Sequence, residues 1–77
     1  MNSLNLSEIK VGKKSRVLKI KPESSIRRRL MDMGIVPHTE VTVIGKAPMG
    51  DPIEIQLRGY KLTLRKIEAK DILVQEF

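Results

Sequence analysis

The stretch Ile53–Arg65, IEIQLRGYKLTLR, decides the fold because its side chains alternate between apolar and polar. Ile53, Ile55 and Leu57 fall on one face of the first half, and the residues between them are charged or polar. A period of two residues is typical of a β-strand that buries one face. Gly59 separates this run from a second alternating run, which indicates a tight turn. The stretch therefore predicts a β-hairpin.

Segments on both sides of the hairpin extend the β pattern. Three further strands are predicted from their β-branched and apolar residues, at 15–21 (SRVLKIK), 39–46 (TEVTVIGK) and 72–77 (ILVQEF). Five short strands joined by tight turns in 77 residues predict a mainly β fold. The expected architecture is a small, partly open β-barrel that forms a single domain over residues 1–77.

The segment 24–33, SSIRRRLMDM, has a helical period and predicts one short α-helix. Ser24 or Ser25 is expected to cap its start, and Gly34 is expected to end it. Two single helical turns are also predicted, at 8–11 between Ser7 and Gly12 and at 66–71.

A helical wheel divides the predicted helix into two faces. Ile26, Leu30 and Met33 fall together and form the stripe that faces the core. Arg27, Arg28 and Met31 point away from that stripe. The three consecutive arginines are open to two interpretations, a solvated face or a contact surface. Met31 is equally open, since an outward apolar side chain is either a stray surface residue or an anchor for a partner.

The net charge of +6 is concentrated in the first half of the chain. Residues 1–36 contain nine Lys and Arg against three Asp and Glu, whereas residues 37–77 contain six of each sign. This asymmetry predicts one basic face, whose candidate partners are nucleic acid, an anionic membrane surface or an acidic protein. The scarcity of aromatic residues, which are Tyr60 and Phe77 alone, argues against nucleic-acid binding by base stacking.

Several function classes are excluded by what the chain lacks. No nucleophile with a nearby base, phosphate-binding loop or carboxylate pair of catalytic spacing is present, so no enzyme is expected. His38 and Glu40 are two potential ligands, too few for a metal site, and without cysteine neither a metal nor another cofactor is expected. Met1–Leu18 contains no continuous apolar segment, so neither a signal peptide nor a membrane span is expected. The expected location is the cytoplasm.

Blocks of the sequence resemble the FeoA family, the small cytoplasmic component of bacterial ferrous iron uptake. The resemblance covers Leu4 to the C-terminus, and its blocks are LMDMGIVP (30–37), APMGDPI (47–53), Arg58-Gly59, Leu62, Leu64-Arg65 and Glu68-Ala69. It implies an SH3-like barrel. It also implies a partner, the cytoplasmic GTP-binding region of the membrane transporter FeoB, and no small-molecule substrate. A location at the inner face of the membrane is compatible with such a partner.

One position departs from the family pattern, because His38 replaces the second glycine of the usual Gly-Ile-x-Pro-Gly turn. Histidine is among the residues that tolerate positive φ, so the turn is expected to survive. The other shared residues are expected to act mainly through the fold. These structural residues are Gly34, Pro37, Pro48, Gly50, Asp51, Pro52 and Gly59.

The candidate residues for contact with the transporter are Arg27, Arg28, Leu30, Met31 and Met49. Met49 is included because the 48–52 loop is expected to present it near its tip. The alternative function is that of a nucleic-acid-binding or metal-responsive regulatory domain, since metal-dependent repressors of the diphtheria toxin type carry a similar small barrel.

Overall fold

The protein is described by a computed structural model over residues 4–77, in which six strands and two short α-helices are found. The strands are β1 (Leu4–Asn5), β2 (Lys14–Ile20), β3 (Glu40–Lys46), β4 (Ile53–Leu57), β5 (Tyr60–Leu64) and β6 (Ile72–Glu76). The helices are α1 (Arg27–Asp32) and α2 (Lys66–Ala69), and a 3-10 turn spans Leu6–Glu8. Within residues 4–77 no helix has the length and apolar character needed to cross a membrane. The start of the segment Met1–Leu18, for which no leader was expected, lies outside the described residues.

The strands form one antiparallel sheet in the order β1-β6-β2-β3-β4-β5. The prediction of a mainly β fold is confirmed. The structure has one strand more than the five predicted, because β1 was not recognised in the sequence. A strand of two residues is too short to show an alternating pattern, and β1 is recognisable only from its pairing with β6.

The predicted hairpin is formed by β4 and β5. Leu57 pairs with Tyr60, so the connecting turn consists of Arg58 and Gly59 alone. Their φ angles are 49° and 84°, and two successive positive values are the signature of the type I′ turn that matches the twist of a hairpin. The tight turn expected at Gly59 is therefore confirmed.

A core of aliphatic side chains fills the space enclosed by the curved sheet. The strands contribute alternate residues, so β4 buries Ile53, Ile55 and Leu57 and exposes the residues between them. From α1, Leu30 is fully buried, and the flanking Ile26 and Met33 pack against the core while partly exposed. The predicted inward face of the helix is thus correct.

The N-terminal caps of two helical segments differ from the predictions. The first helical turn is Leu6–Glu8, and Asn5 rather than Ser7 caps it by accepting the Ser7 N–H at 3.0 Å. Helix α1 begins at Arg27, and Ile26 occupies its N-cap position without a side-chain hydrogen bond. Ser24 instead accepts the Ile26 N–H at 3.3 Å, which orders the turn before the helix. At α1 a nearby polar side chain thus bonds to the local backbone in a turn before the helix instead of capping it.

The connection from α1 to β3 contains two residues with positive φ. Gly34 ends the helix with a φ of 99°, as expected. The Thr39 N–H donates to the Val36 oxygen at 3.2 Å, closing a turn in which Pro37 is the second residue and His38 the third. The φ of His38 is 77°, which is the geometry that a type II turn requires at its third position and that favours glycine.

Candidate partner-binding surface

The outward side of α1 presents an apolar side chain among charges. Arg27, Arg28, Met31 and Asp32 line a shallow depression of about 300 Å³, and these four residues are called the α1 surface below. Met31 is 37% exposed and both arginines are exposed, so the predicted outward direction of all three is correct. An apolar centre with a charged rim is the usual composition of a small protein-binding site.

Leu30 does not belong to this surface. Its side chain is fully buried in the core, so its inclusion among the contact candidates is wrong. The helical wheel already placed Leu30 on the inward face, and the structure agrees with the wheel. Its contribution to any contact is to fix α1 against the sheet.

Two contacts hold helix α1 against the rest of the fold, one at its middle and one at its end. The Arg29 guanidinium lies 3.4 Å from the Glu68 carboxylate on α2. The Tyr60 hydroxyl donates a hydrogen bond to the Met33 oxygen, where the helix ends. Neither contact involves a residue of the α1 surface. The two contacts therefore position this surface and leave its side chains exposed. A rigid surface loses less conformational entropy on binding than a mobile one.

Met49 lies in a separate place from the α1 surface. It is 86% exposed in a turn that is closed by a 2.7 Å hydrogen bond from the Gly50 N–H to the Ala47 oxygen. Pro48 is the second residue of this turn, where its fixed φ is favourable. Met49 is not among the residues that line the depression of the α1 surface.

Asp51 connects the loop to the rest of the structure. Its carboxylate accepts the backbone N–H of Lys66 at 3.0 Å, at the first residue of α2. Gly50 has a φ of 78°, which favours glycine there. Pro52 ends the loop, and its oxygen accepts the Ala47 N–H at 3.1 Å. Helix α2 therefore stands between the two candidate regions, joined to α1 through Glu68 and to the loop through Lys66.

Three residues at or near these regions were not predicted from the sequence. Glu68 accepts the Arg65 N–H at 2.8 Å and also forms the ion pair with Arg29. The only sequence signal for this role was the capping spacing Arg65-x-x-Glu68. Tyr60 was noted only as one of the two aromatic residues, and nothing in the sequence indicated its bond to the Met33 oxygen at the end of α1. Ile67 is 72% exposed on α2, and no periodic pattern in a four-residue helix could reveal this.

His38 and Glu40 do not form a metal-binding cluster with a third ligand. Among residues 4–77, no three side chains of His, Cys, Asp or Glu are grouped as a metal site requires. The Glu40 carboxylate is instead engaged by Arg16 at 3.5 Å and Lys14 at 3.9 Å. His38 is exposed, and its backbone N–H donates to the Val17 oxygen on β2 at 2.8 Å.

Comparison with known proteins relates the whole described chain to one family. A sequence profile of the FeoA domain matches residues 4–76. The chain is 55% identical to an FeoA-like protein from Clostridium acetobutylicum whose solution structure superposes with a TM-score of 0.93, covering 100% of this chain and 90% of that one. It is 31% identical to the FeoA of Stenotrophomonas maltophilia, an SH3-domain protein crystallised with zinc, with a TM-score of 0.81 over 92% of this chain and 88% of that one.

A third relative joins FeoA to a transporter in one polypeptide. The chain is 29% identical over 72 residues to the Fe(2+) transport protein A/Fe(2+) transporter FeoB fusion protein of Porphyromonas gingivalis. The match covers 94% of this chain but only 8% of the fusion protein. The SH3-like character of the fold and the full-length profile match agree with the resemblance seen in the sequence, and the chain belongs to the FeoA family, whose members are linked to ferrous iron transport.

Proposed function

We propose that this chain is a non-enzymatic accessory protein of ferrous iron uptake that binds the cytoplasmic GTP-binding region of an FeoB-type membrane transporter. The α1 surface is the proposed contact. The observation that carries this proposal is that Met31 is 37% exposed between two arginines. The helix that presents it is held in place by contacts at its middle and at its end. Anchors of this kind dominate binding energy when they enter a pocket on the partner.

The fusion protein of Porphyromonas gingivalis supports the choice of partner. Two segments encoded in one chain are held at high effective concentration, an arrangement that favours a weak contact between them. The exposed arginines of the α1 surface supply attraction to an acidic protein surface or to the anionic inner leaflet nearby.

The proposal is tested by titrating the chain into the purified cytoplasmic domain of an FeoB-type transporter from the same organism. Met31→Asp is expected to weaken binding at least about tenfold, equivalent to about 1.4 kcal/mol. Met49→Asp is the matched control, because it makes the same chemical change at a side chain that is 86% exposed, and it should bind like the parent. Unchanged affinity of Met31→Asp would contradict the proposed contact.

Thermal melts separate binding from folding. Met31 is partly covered, so Met31→Asp should cost at most about 1 kcal/mol of folding free energy, slightly more than a fully exposed site. Leu30→Asp places a charge in the core and should unfold the chain, which shows what an indirect loss of binding looks like.

Salt dependence separates the proposed function from the alternative one. Raising the salt from about 50 to about 200 mM shortens the Debye length from about 14 to about 7 Å, so binding to an acidic partner should weaken. Double-stranded DNA should compete poorly. Efficient competition by DNA would favour the nucleic-acid-binding alternative.

A further inference from the structure

The sheet ends at β5, and the hydrogen-bonding direction of each residue in this edge strand follows from its register. Strand β5 pairs with β4 alone. Leu57 and Tyr60 close a two-residue turn, so they form a hydrogen-bonded pair, and such pairs alternate along an antiparallel ladder. Leu62 and Leu64 therefore bond to β4. The N–H and C=O groups of the two residues between, Lys61 and Thr63, point away from the sheet.

These four outward groups have no hydrogen-bond partner among residues 4–77. No backbone or side-chain hydrogen bond reaches the main chain of Lys61 or Thr63 from outside the sheet. Both side chains are exposed. An edge strand with two successive outward donor and acceptor pairs is a template for one more strand.

The charge along this edge selects the kind of strand that fits. The segment Arg58–Lys66, RGYKLTLRK, contains four cationic residues and no acidic one. Three carboxylates on neighbouring elements lie beside this segment: Glu54 pairs with Thr63 across the hairpin, Asp51 accepts the Lys66 N–H at 3.0 Å, and Glu68 accepts the Arg65 N–H at 2.8 Å. The edge segment itself carries only positive charges, and Lys61 lies opposite the neutral Gln56.

A second copy of this chain fits the edge poorly. Antiparallel pairing of two β5 strands about Leu62 satisfies the outward groups by placing Lys61 of each copy opposite Thr63 of the other. It also brings two segments with four cationic residues each into contact. Lysine on an edge strand is a known means of preventing such self-pairing.

We infer that the free edge of β5 binds an extended, acidic peptide segment of another protein by strand addition. The incoming strand exchanges N–H···O=C bonds with Lys61 and Thr63, and its carboxylates lie near Lys61 and Arg65. This site is separate from the α1 surface, and its occupant is an extended segment rather than a folded surface. It does not depend on the proposed transporter contact.

Amide hydrogen exchange read residue by residue tests the inference. The probe is a short synthetic peptide in which glutamate alternates with threonine. In the free chain the Lys61 and Thr63 amides should exchange rapidly, while those of Leu62 and Leu64 are slow because they bond to β4. Saturation with the peptide should slow Lys61 and Thr63 at least about tenfold and leave Leu62 and Leu64 unchanged, a pattern that charge attraction alone does not produce.

Control peptides and a control variant distinguish strand addition from attraction by charge and from binding at α1. The same peptide with methylated amide nitrogens keeps its carboxylates but loses its donors, and it should bind at least about tenfold more weakly. A peptide with lysine in place of glutamate should not bind. Met31→Asp should bind the acidic peptide as the parent does, because the α1 surface is not involved.

Three results would overturn the inference. The methylated peptide binding as well as the unmethylated one would show attraction by charge alone. Peptide-induced changes confined to α1, without slower exchange at Lys61 and Thr63, would place the peptide on the wrong surface. Slow exchange at Lys61 and Thr63 that appears without peptide as the chain concentration rises would identify a second copy as the occupant.

Discussion

Tyr60 and Met33 are joined by a hydrogen bond from the Tyr60 hydroxyl to the Met33 oxygen, which ties the start of β5 to the end of α1. The Tyr60 hydroxyl lies next to Gly34. A Cβ placed on Gly34 would overlap the Tyr60 hydroxyl, and the φ of 99° at this residue is already unfavourable for any side chain. Glycine is therefore needed here for two separate reasons, its backbone conformation and the close approach of a side chain.

We expect Gly34→Ala to lower the free energy of unfolding by about 1–3 kcal/mol, as for other residues held in a sparsely populated conformation. Tyr60→Phe should cost about 0.5–1.5 kcal/mol through loss of one hydrogen bond. Denaturant unfolding of both single variants and the double variant measures the coupling between them.

The double variant should be more stable than the sum of the two single effects predicts, because removing the hydroxyl relieves part of the overlap with the new methyl group. Strict additivity would show that the φ angle of Gly34 accounts for the whole cost and that the close approach of Tyr60 does not matter.

His38 occupies the third position of the Val36–Thr39 turn with a φ of 77°. We expect His38→Val to destabilise the chain by more than about 1 kcal/mol, because a β-branched residue is disfavoured at positive φ. His38→Gly should melt at or above the parent, since glycine adopts this conformation without a steric cost. Melting temperatures of the two variants give the answer, and a valine variant as stable as the glycine one would rule out this geometry.

Ser15 is a fully buried polar residue whose hydroxyl has no hydrogen-bond partner among the described residues. An unsatisfied buried hydroxyl lowers stability. Ser15→Ala should therefore leave the free energy of unfolding unchanged or raise it by up to about 1 kcal/mol, and the melting temperature should change in the same direction. Thr39→Val is the comparison. Thr39 is buried as well, but its hydroxyl donates to the Gly34 oxygen at 3.5 Å, so its loss should be destabilising. A large destabilisation by Ser15→Ala would mean that the hydroxyl has a partner.

Ferrous iron should not bind the isolated chain with micromolar or tighter affinity. The reason is the ligand set, because His38 is exposed without two further ligands grouped near it in residues 4–77, and Glu40 is engaged by Arg16 and Lys14. Anaerobic calorimetric titration of the parent and of His38→Ala tests this. A one-to-one isotherm that disappears in His38→Ala would indicate an iron carrier rather than an accessory protein.

The strands and the helix face were predictable because each has a strong local period. The alternation of apolar and polar residues in Ile53–Arg65 predicted both strands of the hairpin. The helical wheel correctly predicted that Leu30 faces inward and Met31 outward. Local patterns failed where a contact links distant parts of the chain. The bond of Tyr60 to Met33 spans 27 residues, and the hydrogen bond of Asp51 to Lys66 spans 15. Neither leaves a periodic signal.

Helix starts were also poorly predicted, for a physical reason. Ser7 and Ser24 are good capping residues by type, yet Ser7 lies inside the Leu6–Glu8 turn that Asn5 caps, and Ser24 bonds in the turn before α1. Serine and asparagine side chains bond to nearby backbone in turns as readily as in caps, and the choice depends on the path of the following chain. The exposure of Ile67 likewise depends on how α2 packs, which its sequence alone does not determine.

The most direct test of the central claim is a map of the contact with the transporter, read from the backbone amide signals of the isotope-labelled chain. The unlabelled cytoplasmic domain of an FeoB-type transporter is added in steps, and the signal of each residue is followed. We expect the largest changes in Arg27–Asp32, with the 47–52 loop and β5 nearly unaffected, because the α1 surface is the proposed contact. Changes concentrated around Met49, or no change at saturating concentrations of the domain, would contradict the account.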